Sequence, residues 1–95
     1  MGKISELVNG SKKVDIEAKV VQKEEARDVN TKFGRNRVCN AIVEDDSGSI
    51  MLVLWGEEID KVKEGDTVKI ENGYVNEWKD TLQLSIGKFG KLTIL

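Results

Sequence analysis

A small, closed, all-β barrel is the fold class that this sequence predicts, and three observations predict it. Apolar residues alternate with polar ones in successive short runs, the period of two that a half-wet strand requires. Clusters of Gly, Asn, Asp and Ser punctuate those runs where turns belong. The chain has 95 residues, which is room for a single domain (1–95) around one core. Closing such a sheet on itself removes the exposed edges that would otherwise template aggregation.

The elements follow in order. Ile4, Leu7 and Val8 make one apolar stripe of a short N-terminal turn that ends near Asn9-Gly10. Val14, Ile16, Ala18 and Val20 alternate with Asp15, Glu17 and Lys19 in a first strand. A second strand runs from Arg37 to Glu44, and a wholly apolar third from Ile50 to Trp55. Between them Asp45, Asp46, Ser47, Gly48 and Ser49 are all turn formers, so the pair reads as a hairpin. Glu57 to Val62 reads as a short helix, with Ile59 and Val62 three apart on one side. After the turn Glu64-Gly65-Asp66, a fourth strand opens at Thr67, with Val68 and Ile70 on one face. A fifth carries Leu82, Leu84 and Ile86 in alternation with Gln83 and Ser85. Five strands with a short helix between strands 3 and 4 is the order of the OB-fold barrel. An SH3-like barrel competes, but usually lacks a helix at that position.

Composition excludes most enzymes. The chain has no histidine and a single cysteine, Cys39. That removes imidazole acid–base chemistry, Ser-His and Cys-His nucleophile pairs, and zinc sites built on Cys and His. It also removes any intrachain disulfide, so Cys39 reads as a reduced, buried thiol of a cytoplasmic protein. Asp45 and Asp46 read as hairpin formers rather than metal ligands. No apolar run approaches the ~20 residues of a membrane span. The expectation is a binding module with no catalytic residue, no metal, no cofactor, no small-molecule substrate and no membrane partner.

Fifteen basic residues stand against 17 acidic ones, a net charge of −2. Bulk electrostatics therefore cannot hold a nucleic acid, because phosphate neutralisation needs a surplus of Lys and Arg. The charge is uneven, however. Arg27 to Val38 holds Arg27, Lys32, Arg35 and Arg37 against Asp28 alone, while Cys39 to Asp66 is strongly acidic. Aromatic placement adds a second anomaly. If Ile50, Leu52 and Leu54 fill the barrel, then Met51, Val53 and Trp55 point outward. Tyr74 and Trp78 lie four apart, on one face of a strand and about 13 Å from each other. Strict alternation from Val68 and Ile70 would send Tyr74 inward, so a bulge is expected at Gly73 to turn it out. Outward aromatics are platforms for bases, worth about 1–3 kcal/mol per stacked base whatever the base. The segment Arg27–Arg37, with Arg27, Lys32, Phe33, Arg35 and Arg37, reads as the loop that borders the binding face of such barrels. Lys79, between the last two strands, borders the same face. The competing reading of each piece is ordinary: a Trp covering the barrel rim, and charges solvated on loops.

Several stretches together resemble a known family. They are Glu24-Glu25-Ala26-Arg27, Thr31-Lys32-Phe33-Gly34, Ala41 to Gly48 and Leu54-Trp55-Gly56, continued by Lys63 to Tyr74 and by Leu82-Gln83-Leu84-Ser85. They resemble the archaeal single-stranded DNA-binding proteins of the replication protein A type, over about residues 5 to 90. The resemblance implies an OB-fold that binds single-stranded DNA in replication, recombination or repair. It also implies three base-stacking aromatics, falling here on Trp55, Tyr74 and Trp78, and backbone-contacting regions that hold Arg27, Lys32 and Lys79. Two other classes stay open. One is an OB domain that assembles with replication or repair proteins, which would bury Trp55 and Trp78. The other is an RNA-binding OB domain, since stacking does not read the 2′-OH.

Overall fold

Burial along the first strand repeats with a period of two: Val14, Ile16, Ala18 and Val20 are buried and the residues between them are exposed. Elsewhere the alternation is broken: Val38 and Cys39, and Leu52, Val53 and Leu54, are buried in succession. The computed structural model of the protein describes residues 2–32 and 34–95, with the side chains of residues 31 and 87–89 not described. A 3-10 turn, Ile4–Glu6, precedes β1 (Val14–Lys23), β2 (Arg27–Thr31), β3 (Gly34–Asp45) and β4 (Gly48–Trp55). A short helix α1 (Glu57–Lys61), β5 (Thr67–Trp78) and β6 (Thr81–Ile94) complete the chain.

Five strands close into a ring in the order β1-β5-β6-β4-β3, with β3 pairing back onto β1. The pairing of β4 with β6 is parallel; the others are antiparallel. This is the expected barrel, with the helix between the third and fourth strands of the ring. The core fills it from all sides: Ile16, Val20, Leu52, Leu54, Val68, Ile70 and Leu84 have no exposed surface. Ile59 and Val62 pack against that cluster from the helix and the residue after it. Lys23 reaches the same point, its Nζ donating to the carbonyls of Ile59 and Val62. An ammonium there satisfies orphaned carbonyls and complements the negative end of the helix.

One expectation needs correction. The segment between the first two ring strands is not a loop but a hairpin, in which β2 lies outside the ring and pairs with Gly34–Val38 of β3. Its apolar contrast is weak, with Val29 the lone aliphatic residue of β2. Backbone pairing rather than burial forms this hairpin, so periodicity does not announce it.

The bulge in β5 is present and centres on Asn72, one residue before Gly73. The register of β5 shifts there against both neighbours, and Asn72 takes a left-handed φ of 56°. Asp15 Oδ1 accepts the Asn72 N–H at 2.9 Å. The shift sends Gly73 and Val75 into the barrel and leaves Tyr74 outside. Gly73 is glycine for want of room: a Cβ would stand 3.1 Å from the Ser85 carbonyl oxygen and 3.2 Å from both Ile70 and Leu84 side chains.

Two polar groups are explained by the fold itself. Asp45 anchors the β3–β4 turn by accepting from the Ser47 and Gly48 amides and the Ser47 hydroxyl, and it holds the N-terminal turn through the Ile4 amide at 2.9 Å. Burial raises its pKa, but these hydrogen bonds outweigh that and leave the carboxyl below its usual range. Cys39 is buried, with Sγ 2.9 Å from the Glu24 carbonyl oxygen. Desolvation pushes the thiol above its ordinary pKa, away from reactivity.

Candidate nucleic-acid interface

On β4, Ile50, Leu52 and Leu54 face the core, so Met51, Val53 and Trp55 belong to the outer face. Register builds that face sideways. Trp55 lies opposite Val38, and Val38 in turn opposite Arg27 of β2. Val53 is flanked by Asn40 on β3 and Ser85 on β6, with Tyr74 beyond on β5. Met51 is flanked by Ile42 and Gln83, with Asn76 beyond. Trp78 faces Thr81 where β5 turns into β6.

These rows form the floor of an open groove of about 780 Å³. Its lining includes both indoles, Trp55 and Trp78, with Met51, Val53, Asn40 and Gln83, and with Arg27, Val29 and Asn30 from the hairpin. Trp55 is 37% exposed and Trp78 61%. Lys79 lines the groove beside Trp78, its Nζ 5.6 Å from the ring centre, within the range of a cation–π contact. Lys79 and Asp80 both take positive φ, 49° and 64°, which turns the chain tightly at this end. Arg27 lines the groove and makes no side-chain ion pair or hydrogen bond with any described residue.

The expected site residues divide clearly. Trp55, Trp78, Arg27 and Lys79 come together in the groove. Tyr74 is 38% exposed on the same outer face, in the row of Ser85, Val53 and Asn40, but does not line the groove. Arg35 and Arg37 are not brought to it. They lie opposite Asn30 and Asp28, on the alternate side of the hairpin from Arg27 and Val38. There Arg35 pairs with Asp28 at 3.9 Å and Arg37 with Asp60 of α1 at 3.0 Å. Lys32 is exposed at the hairpin turn, away from the lining. Phe33 lies outside the described residues. Among the described residues no three carboxylates or thiols gather as a metal site.

No residue of the acidic helix α1 lines the groove. Glu58 is half-buried there; desolvation raises its pKa, offset in part by the Trp55 amide and by Lys61. Sequence reasoning missed Asn40, Gln83, Val29 and Thr81 as lining residues. The signal for Gln83 was available in the alternation of the last strand. For Asn40 it was hidden, because the crowded apolar run around it has no clear period.

Comparison with known proteins agrees with this architecture. The family model of the single-stranded DNA binding protein Ssb-like OB fold matches residues 7–94. The single-stranded DNA binding protein Ssb of Saccharolobus solfataricus is 36% identical over 90 residues, covering 95% of this chain and 61% of that protein. The chain thus spans less than two thirds of the length of that curated relative. Among solved structures, the second OB-fold domain of replication protein A from Methanococcus maripaludis superposes with a TM-score of 0.81 at 31% identity, covering 99% of this chain and 93% of that one. The replication factor A related protein of Methanobacterium thermoautotrophicum gives 0.82 at 25% identity, covering 100% and 90%. On the matched span and the closed ring of strands, the chain belongs to the Ssb-like family of single-stranded DNA binding proteins with an OB fold.

Proposed function

We propose that this domain binds single-stranded DNA by stacking bases on Trp55 and Trp78, with Tyr74 as an outlying third platform and Arg27 and Lys79 as phosphate contacts. One observation carries the reading: two exposed indoles line a single groove that also holds two cations. Exposed aromatics in water are costly unless a partner covers them, and bases offer flat π-faces that fit. The role that follows is protection of single strands during replication, recombination or repair. It needs no catalytic group and no cofactor. The alternative is an assembly domain, in which a partner protein rather than bases would cover both rings.

The test is titration of the domain with oligo-dT while following tryptophan fluorescence. Quenching that saturates at a defined nucleotide ratio supports the reading; an unchanged signal at high protein concentration refutes it. Competition between matched DNA and RNA oligonucleotides then separates the DNA reading from an RNA-binding one.

A further inference from the structure

We infer that Asn40 and Gln83 read the hydrogen-bonding edges of bases seated between the two indoles, so that the groove grips bases by their edges as well as their faces. The inference rests on the stacking reading above. Along the outer face of β4 the residues are Trp55, Val53 and Met51, which offer the Trp55 indole N–H as a donor, the weak Met51 thioether as an acceptor and nothing that presents a strong donor and acceptor together. The two carboxamides enter from either side: Asn40 on β3 opposite Val53, and Gln83 on β6 opposite Met51. Both are half-buried in the groove lining.

Their bonding differs, and both leave capacity for a ligand. The Asn40 backbone carbonyl accepts from the Glu24 amide at 2.9 Å, but the Asn40 carboxamide makes no hydrogen bond with any described residue. Gln83 Nε2 donates to Met51 Sδ at 3.5 Å. A thioether accepts and cannot donate, so this contact fixes which end of the amide is which. Gln83 Oε1 is left as an acceptor. In free protein, water serves these groups. A base that displaces the water strands them unless it offers donors and acceptors in return. A carboxamide presents a donor and an acceptor side by side and pairs with complementary base edges.

A thymine isostere separates edge from face. Difluorotoluene has the shape and stacking surface of thymine without its strong hydrogen-bonding groups. The wild-type domain is titrated with oligo-dT and with the same oligomer carrying difluorotoluene at successive positions. The expected result is weaker binding of the isostere, by about two- to tenfold per hydrogen bond lost. The double variant Asn40→Leu/Gln83→Met keeps side-chain length and removes both amides. It is expected to bind the two oligomers equally while retaining fluorescence quenching, and thermal melts verify that it is folded. Asn40→Ala/Gln83→Ala, which also removes both amides by smaller changes at half-buried positions, carries the same comparison should the first double variant fail to fold. Equal binding of both oligomers by the wild type overturns the inference, as does discrimination that survives in the folded variants. In either case quenching by oligo-dT leaves the stacking reading standing, whereas its absence in the wild type brings down the stacking reading itself.

Discussion

Trp78→Ala is the perturbation that isolates stacking from structure. Trp78 is 61% exposed and Trp55 only 37%, so the two rings differ by about 24 points of coverage by the protein. A tryptophan buries at most about 250 Å², so that difference is about 60 Å², or about 1.5 kcal/mol at 25 cal/mol per Å². Trp55→Ala is therefore expected to destabilise the fold by about 1.5 kcal/mol more than Trp78→Ala. Both are expected to weaken binding by about 1–3 kcal/mol, the worth of one stacked base, which is about a 5- to 150-fold rise in Kd. The assay is paired: urea melts for stability, and oligo-dT titrations under conditions where each variant is folded. A folded Trp78→Ala with wild-type affinity refutes the platform. So does a Trp78→Ala that loses stability as severely as Trp55→Ala, because the ring would then belong to structure.

Further outcomes follow from the same geometry. With Arg27 and Lys79 as the groove cations, log affinity should fall with log salt at a slope of only about −1 to −2, and a slope beyond about −5 would show that phosphates dominate. Arg27→Ala should weaken oligo-dT binding and flatten that slope, whereas Arg35→Ala should leave both unchanged in the same titration. Leu52→Ala, fully buried on the inner face of β4, should cost about 2–5 kcal/mol in a urea melt. Asp45 has a lowered pKa in the fold, so its contribution is complete above the unfolded carboxylate value of about 3.9 and is lost as pH falls through the folded value. Melts of Asp45→Asn against pH should show lower stability at neutral pH and a shallower acid decline than the wild type.

The barrel was legible because two of its strands keep a clear period. Val14 to Val20 bury alternate residues, and Leu82, Leu84 and Ile86 all pack toward the core, so a one-residue slip would turn each set outward. The outward bulge of Tyr74 was legible from a conflict: two apolar residues set one register, an aromatic demanded the other, and a glycine stood between them. The hairpin of β2 was not, since its pairing depends on backbone hydrogen bonds that leave no apolar signature. That omission also misdirected the site. In a loop, Arg35 and Arg37 are free to reach any ligand; in a strand, alternation commits them to the side opposite Arg27. Asp28 and Asp60 then meet them there, partners that charge counting along the chain cannot reveal.

This arrangement accounts for how a chain of net charge −2 can present a surface suited to a polyanion. The acidic stretch lies at the end of β3 and the turn after it, in the helix and in the turn before β5, none of which contributes a carboxylate to the groove. Among the described residues the charged groups lining it are Arg27 and Lys79, both cationic. Arg35 pairs with Asp28 within the hairpin, and Arg37 pairs with Asp60, so one carboxylate of the acidic helix is partly neutralised. Repulsion of phosphates by the rest of the domain then acts through water, over distances that physiological salt screens with a Debye length of about 8 Å. On the proposed reading, local charge rather than net charge sets the sign of the interaction, and stacking on the aromatic faces is expected to supply the larger share of its strength.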